Sequence, residues 1–492
     1  MKSFGRLVAI VFLHGVAAAA AASHGTRPNI VFILADDHTT QAISCYGSKL
    51  ARTPQIDRIA AGGMRFDHAF CTESICSPSR AAIMTGKYGH ITGAKGWTHY
   101  DRVRNQTFPE ALQAAGYHTA LFGKYHMGEN PPGFDDLAIL KGQGRYRDPQ
   151  LHSKGGMKGY PGHVSDVITD LSLAWLEKRD PNRPFLLCIH HKATHMPWTP
   201  ADRSAKNFLG VTLPEPPTLL ETSKAAARSF TRTTIDKLLR WNRELAWPEP
   251  APGLDDAART RSIYQQYLRS YLATAQGMDE NIGRVLDYLD REGLAENTIV
   301  VYASDQGFLL GEHGWFDKRW MLEESLRLPF IVRYPKLVRP GSSSSAMALN
   351  IDFAPTLLDL AGAPPLAGAQ GRSLRPILAG ATPAGWRKEM YYRYYPEELG
   401  IPPQLGLRTD RYKLIHYDGL VSNDDGTTTQ STKGMRPIDE WELFDLKTDP
   451  GEHVNLYHAP AAQTLVTELK SRLARLRAEL GDPEATAQRT HP

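Results

Sequence analysis

Cys76 stands in the frame Cys76-Ser77-Pro78-Ser79-Arg80, followed by a small-residue run to Gly86 that reads as a helix start. A thiol there could be a nucleophile if a histidine or lysine lowered its pKa. It could also pair with Cys71 in a disulfide. Neither reading explains a proline at +2 and an arginine at +4. Asp36, Asp37, Asp305 and Gln306 are hard oxygen donors. Three carboxylates held together repel one another unless a cation sits between them, and calcium tolerates irregular oxygen geometry better than magnesium, the second choice. Zinc fits less well: His191 and His195 are four apart, but Pro197 argues against the helix that would put both on one face. A single Asp after a strand is more commonly a cap or turn residue. Two such groups at two strand ends point to a metal. Lys124, His126, His195 and Lys318 could surround an anion such as sulfate or phosphate, which needs several charged donors. His190 and His191 read as structural.

These residues follow apolar runs. Asn29 to Leu34 reads as a buried strand ending at Asp36/Asp37. His118 to Phe122 ends at Lys124/His126, Phe185 to Ile189 precedes His195, and Thr298 to Tyr302 ends at Asp305/Gln306; Phe330 to Arg333 reads as a fifth strand. Helices are expected over Pro54 to Ala61, Phe108 to Ala115, Val164 to Leu176, a stretch from Leu268 to Leu289 closed by Gly293, and Asp352 to Leu360. Alternating strands and helices predict an α/β fold with a mainly parallel sheet covered on both faces, and such sheets bind ligands beyond the carboxyl ends of their strands. Residues 200–262, rich in proline and charge, read as an insertion near the substrate mouth, partly helical between Leu219 and Trp247. A Gly/Pro/Ala-rich stretch from Ala361 to Leu378 marks a boundary. Beyond it, short aromatic runs (Met390 to Tyr395, Leu405 to Arg408, Tyr412 to His416, Trp441 to Asp445) predict a small antiparallel sheet, and Leu465 to Leu480 a closing helix.

The 492 residues can bury a large core, and the length predicts about two domains. A net charge of +4 spread along the chain gives no case for nucleic acid. Residues 1–22 read as a secretory signal: Lys2 and Arg6, a short apolar stretch, then small residues. The protein is therefore expected to be exported, periplasmic or secreted, without stable membrane insertion. If Cys76 is chemically special, Cys45, Cys71 and Cys188 allow at most one disulfide. Asn105-Gln106-Thr107 is a glycosylation sequon that matters only in a eukaryotic host.

Cys76 to Gly86 resembles the signature of the type I sulfatases. Pro28 to Asp37 resembles that family's first metal strand, Gly116 to His126 its Lys/His motif, Ala303 to Lys318 its second metal loop, and Trp441 to Leu446 with Asp449-Pro450 its C-terminal landmark. The resemblance covers nearly the whole mature chain. It implies an alkaline-phosphatase-like catalytic domain over residues 27–375 and a C-terminal α+β subdomain over 376–492. It implies that a maturation enzyme reading Cys-x-Pro-x-Arg converts Cys76 to formylglycine, whose hydrate attacks sulfur. It implies one Ca2+ per chain, held by Asp36, Asp37, Asp305, Gln306 and residue 76. By the same resemblance Arg80 and Lys124 hold the hydrate and the sulfate oxygens, His195 with Lys318 protonates the leaving alcohol, and His126 takes a proton as sulfate is expelled.

Ser304 to Ser325 resembles bacterial glycan sulfatases of the N-acetylglucosamine-6-sulfatase-like group, which implies a sulfated carbohydrate substrate. Many of these carry a histidine loop before the Gly-x-Arg-Thr strand. Here that loop, Glu397 to Gln404, has no histidine, and Gln306 stands where asparagine is frequent. Competing expectations are a broader arylsulfatase, a phosphonate or phosphodiester hydrolase of the same superfamily, and a sugar-binding protein with a dead site. The last would require lost motif residues, and none is missing.

Overall fold

The computed structural model describes residues 27–96, 105–221, 233–241, 247–395, 400–422 and 435–482. The expected leader, residues 1–22, lies outside them. In chain order the strands of the large sheet are β1 (Asn29–Ala35), β2 (Met64–Phe66), β3 (His118–Gly123), β4 (Asp136–Leu140), β5 (Gln150–Ser153), β6 (Gly156–Gly159), β7 (Phe185–His190), β8 (Thr298–Ser304), β9 (Phe330–Arg333) and β10 (Ser342–Ser344). Their order across the sheet is β10-β2-β9-β8-β1-β7-β3-β4-β5-β6. The five strands β8, β1, β7, β3 and β4 are mutually parallel. Their carboxyl ends therefore share one edge.

The sheet is mixed. β9, expected from sequence as a further strand of a mainly parallel sheet, pairs antiparallel with β8 and with β2. A parallel partner needs a crossover that returns the chain to the starting end. Residues 305–329 stay at the carboxyl edge and carry only two short helical turns, Glu312–Gly314 and Glu323–Leu326, so β9 starts at that edge and runs back. β4 carries too short and mixed a pattern (Asp-Leu-Ala-Ile-Leu) to announce itself, and it was not expected.

Both faces are covered, so β1 reads as an unbroken apolar run. Ile30, Phe32 and Leu34 pack with residues of α2 (Cys76–Thr85), α3 (Phe108–Ala114) and α6 (Phe353–Ala361). Val31, Ile33 and Ala35 pack with residues of α1 (Pro54–Ala61), α4 (Val164–Lys178) and α5 (Asp256–Arg291). α5 begins twelve residues before Leu268, because the Asp255 carboxylate caps it by accepting from Ala258 N at 2.7 Å. Its amino-terminal half buries Tyr264, Tyr267 and Tyr271 against Trp198, Leu219, Ile235, Phe308 and Phe316. The described part of the insertion is thus packed against the loop that follows β8. Before α5 begins at Asp256, its described residues carry only short turns of helix, at Asp202–Ala205, Lys206–Phe208, Ile235–Lys237 and Leu238–Trp241.

Past residue 376 the chain forms a four-stranded antiparallel sheet of β11 (Glu389–Tyr394), β12 (Gln404–Thr409), β13 (Tyr412–Ser422) and β14 (Met435–Asp445), covered by α7 (Gln463–Glu479). It docks on the segment after Lys318. Arg408 pairs with both Glu323 oxygens at 2.9 Å, and Lys413 bridges Glu323 (2.9 Å) and Glu452 (2.8 Å). Tyr392 Oη donates to Arg319 O (2.7 Å), and Met321 N to Gln404 Oε1 (2.8 Å). Gln404 is thereby a structural link; residues 397–399 of its loop lie outside the described residues.

Cys45, Cys71, Cys76 and Cys188 are all free, so no disulfide forms among them. Asn105 is buried, accepting from Lys87 Nζ and donating to Thr92 O, both at 3.2 Å, which leaves no room for a glycan in the folded chain. No helix among the described residues is long and apolar enough to cross a membrane.

Candidate active site at the carboxyl edge of the sheet

Strand register brings the first carboxylates together. Ala35 pairs with Ser304, so Asp36 and Asp37 emerge beside Asp305 and Gln306. Successive residues of a strand point to opposite faces. Asp37 escapes this by taking a left-handed φ of 66°, and both aspartates reach one centre. Its carbonyl is held there by Thr194 Oγ1 (2.9 Å) and Tyr271 Oη (2.7 Å), and its N–H donates to Asp305 Oδ1 (3.1 Å).

Cys76 enters from a separate segment as the first residue of α2. Its Sγ lies 3.3 Å from Asp36 Oδ1, 3.4 Å from Lys318 Nζ and 3.9 Å from Gln306 Nε2. One helical turn later, Arg80 donates from Nε to Asp305 Oδ2 (2.9 Å) and from Nη1 to Lys124 O (2.7 Å). Arg80 Nη2 is buried without a hydrogen-bond partner, 3.6 Å from Asp36 Oδ1. Lys124 follows β3, whose last residue, Gly123, lies so close to β7 that a Cβ would sit 1.9 Å from His190 O. Only glycine fits, and Lys124 N can then donate to that same carbonyl at 2.8 Å. Lys124 Nζ pairs with Asp36 and reaches Gln143 Oε1 at 2.5 Å; Lys318 Nζ meets both Asp37 oxygens at 2.5 and 2.6 Å.

The centre is dry and crowded with charge. Burial and Asp36 push the Cys76 thiol up to about 12, so it stays protonated and is a poor nucleophile. Burial pushes Asp305 up to about 7 and raises Asp37 as well. Asp36 feels the same burial, but Lys124, His195, Arg80 and Lys318 outweigh it and hold the carboxylate well below its usual range. Oxygen atoms of Asp36, Asp37 and Asp305 all lie within 4.8 Å of one another, and Gln306 Oε1 is buried without a partner. That oxygen-only donor set, with one unused amide oxygen and two carboxyls reluctant to ionise, fits a calcium-sized cation.

The Sulfatase family model matches residues 28–363, and that stretch spans every site residue named so far. This chain is a sulfatase. A second model, the N-sulphoglucosamine sulphohydrolase C-terminal region, matches residues 311–479. The sulfatase is 43% identical over 478 residues to an N-acetylglucosamine-6-O-sulfatase of Bacteroides thetaiotaomicron, covering 88% of this chain and 83% of that one. It is 28% identical to human N-acetylglucosamine-6-sulfatase, covering 76% of this chain and 68% of that one. Among solved structures it matches, with a TM-score of 0.84 and 40% identity over 94% of this chain and 100% of the other, a protein in complex with its substrate D-glucosamine-2-N,6-O-disulfate. A phosphonate monoester hydrolase from Silicibacter pomeroyi shares the fold at a TM-score of 0.71 and 20% identity, over 92% of this chain and 95% of that one. The sulfatase is accordingly a sulfuric ester hydrolase of α/β fold.

His195 completes the rim. Its Nδ1 lies 2.8 Å from Met196 O, and a carbonyl only accepts, so Nδ1 carries the proton. Nε2 faces the site, 3.8 Å from Asp37 Oδ2. Burial, then Lys124, holds the imidazole well below its usual range, so in the resting site it is neutral. His126 follows Lys124 at a left-handed φ of 60° and lines an adjoining cavity of about 710 Å³ with Leu140, Lys141 and His152. Burial and Lys124 push it down to about 2.

Beside His195 lies a cavity of about 1000 Å³ lined by Gln143, Arg145, Tyr146, Arg147 and Lys192 among others. Sequence reasoning missed these. Lys192 Nζ donates to Met196 O (3.1 Å), sits 4.9 Å from the centre of the Tyr146 ring, and is pushed by burial down to about 7. Its place between His191 and His195 was a usable signal. Gln143 and Tyr146 follow β4, the strand that was not expected, so nothing in the sequence tied them to the site.

Proposed function

We propose that this sulfatase is exported and removes a 6-O-sulfate from glucosamine units of a sulfated glycan, after its Cys76 is oxidised to formylglycine by a maturation enzyme. The observation carrying this is Cys76 itself. It is buried at the focus of three carboxylates and three cations, with its thiol held protonated. As cysteine it is poorly suited to act; inside Cys-x-Pro-x-Arg it is suited to be modified. The glucosamine assignment rests on the 43% identity to the named 6-O-sulfatase and on the basic cavity beside His195, which suits a substrate carrying a second anionic group.

A hydrated formylglycine with Ca2+ among Asp36, Asp37, Asp305 and Gln306 would supply an oxygen nucleophile and charge stabilisation at the sulfur. The remaining work falls to this chain's side chains. Arg80, anchored through Nε and Nη1, keeps Nη2 for the group at position 76. Lys318 and Lys124 neutralise sulfate oxygens from two sides, and both are already oriented by Asp37 and Asp36. His195, with Nδ1 committed to Met196 O, can exchange a proton only at Nε2. An arriving sulfate favours the imidazolium there, which then protonates the leaving alcohol. His126, two residues after Lys124, lines the adjoining cavity and is assigned the base of the release half-reaction, a role in which sulfate charge must offset the burial and the Lys124 charge that hold its imidazole down.

The test is release of inorganic sulfate from glucosamine 6-sulfate, N-acetylglucosamine 6-sulfate, galactosamine 6-sulfate and glucosamine N-sulfate. Mass spectrometry of the peptide around position 76 runs beside it. The expected result is an aldehyde mass and turnover of the glucosamine 6-sulfates only. A thiol mass in fully active protein ends the formylglycine reading; turnover of only the N-sulfate ends the 6-O assignment.

A further inference from the structure

On the outer side of the loop between Gln306 and Lys318, three ligand-type side chains from distant parts of the chain converge. Glu221 Oε2 lies 3.6 Å from His313 Nδ1 and 3.4 Å from His453 Nδ1, and the ligand atoms of all three are within 4.8 Å of one another. Those spacings exceed the roughly 2.7–3.2 Å of an N–H···O hydrogen bond. They approach the edge of a tetrahedron built on zinc–ligand bonds of about 2.0–2.1 Å, which is about 3.3 Å. We propose that Glu221, His313 and His453 form a second metal site, for zinc or a similar borderline divalent cation, separate from the oxygen-rich centre around Asp36.

Three features support it. The donor set is two imidazole nitrogens and one carboxylate, the mixed N/O set that zinc prefers and calcium does not. The site is also held in shape by contacts that do not involve the ligand atoms. His313 takes a left-handed φ of 56°, its N–H donates to Thr218 Oγ1 (2.9 Å), and Glu221 N donates to Thr218 O (2.9 Å), so one residue positions two ligands. The His453 ring lies across Gly451, where a Cβ would come within 2.3 Å of Nε2, leaving Nδ1 turned to Glu221. Finally, His313 is buried while Glu221 and His453 are about 40% exposed, so a cation can enter and keep a water as fourth ligand. A cation there would tie the insertion (Glu221), the loop carrying Gln306 and Lys318 (His313) and the C-terminal subdomain (His453) together.

The experiment uses the untagged mature protein, saturated with Ca2+ and then titrated with Zn2+ by calorimetry and with Co2+ by visible absorption. One equivalent of each is expected, with the intense visible bands of low-coordinate cobalt and a higher Tm with zinc. In His453→Ala and Glu221→Ala each affinity should fall at least about 10-fold and the Tm rise should vanish. Sulfate release by His453→Ala without zinc should equal that of the unaltered protein, because His453 lies outside the catalytic machinery. No zinc uptake beyond the calcium complement, or uptake unchanged in both variants, overturns the proposal. Neither result depends on which sulfate ester is the substrate.

Discussion

Two clusters of buried charge lie along the segment from Asp305 to Leu326, and they are built differently. At its start, Asp36, Asp37 and Asp305 crowd their oxygens around one point while Arg80, Lys124 and Lys318 press in from outside. Near its end, Arg408 pairs with both oxygens of Glu323, and Lys413 sits between Glu323 and Glu452. Each cluster holds one carboxylate kept low, Glu323 or Asp36, and burial raises the others, Glu452 in one and Asp37 and Asp305 in the other; the contrast is between Glu323 and Asp305. Burial alone would raise Glu323, but Arg408 and Lys413 outweigh it and hold that carboxylate far below its usual range. Asp305 is paired with Arg80, yet burial and its neighbouring aspartates push it up to about 7. A closed set of pairs joins two parts of a fold. Three carboxylates crowded around one point, with an unused Gln306 oxygen and Arg80 nitrogen beside them, are poised for something that is not a side chain.

The comparison can be broken by mutation, beginning with the largest effect. Cys76→Ala should lower sulfate release at least about 10⁴-fold while leaving Tm within a few degrees of the unaltered protein, since it removes the nucleophile's source and no paired charge. Retained turnover would return Cys76 to an ordinary core residue. His195→Ala should lower turnover of a sugar sulfate by about 10²–10⁴-fold, and that of an aryl sulfate far less, because a phenolate leaves without protonation. Equal losses on both would make His195 a sulfate ligand only.

Arg408→Met should do the opposite. It leaves Glu323 buried and under-paired, at a cost of about 3–5 kcal/mol by chemical denaturation, while kcat of the folded fraction is unchanged. A kcat loss comparable to that of His195→Ala would mean the seam is part of the site.

The smallest effect is in pH. In metal-stripped protein Asp305 has a folded pKa above its unfolded value of about 3.9. Between that value and about 7 the folded state binds more protons, so this group's contribution to stability falls as pH rises. Glu323 has the reverse sign: its contribution is full above an unfolded pKa of about 4.3 and is lost as pH falls below it. Denaturation in chelator should therefore show Asp305→Asn gaining on the unaltered protein from pH 5 to 7, and excess Ca2+ should abolish the gain. The Arg408→Met penalty should shrink only in acid. A parallel pH course for the two variants would erase the distinction.

The strands that carry Asp36, Lys124, His195 and Asp305 were readable because each is a short apolar run, buried on both faces, stopped by polar residues. The four strand regions of the C-terminal sheet were readable from their aromatic runs, although β13 and β14 extend further than expected. β4 was not readable: Asp136–Leu140 has neither the length nor the uniformity of a central strand, and with it went Gln143 and Tyr146. The direction of β9 was also hidden. An isolated strand has no orientation relative to its neighbour, and the deciding segment, residues 305–329, shows no periodicity.

By itself the sequence determined the chemical inventory: an oxidisable Cys76 with Pro78 and Arg80 beside it, oxygen donors at two strand ends, and lysine or histidine at two others. It determined too that apolar runs must bury and so carry those groups to one edge. Only the tertiary structure decided distances. The pairing of Ala35 with Ser304 sets Asp36 and Asp37 beside Asp305, and α2 enters from another segment to put Cys76 among them. Free Cys45, Cys71 and Cys188, the neutral His195 and the meeting of Glu221, His313 and His453 were likewise decided there. The physical reason is common to all of them. Residue type and spacing act locally, whereas register, burial and the electrostatic field at a buried point arise only when segments hundreds of residues apart are packed together.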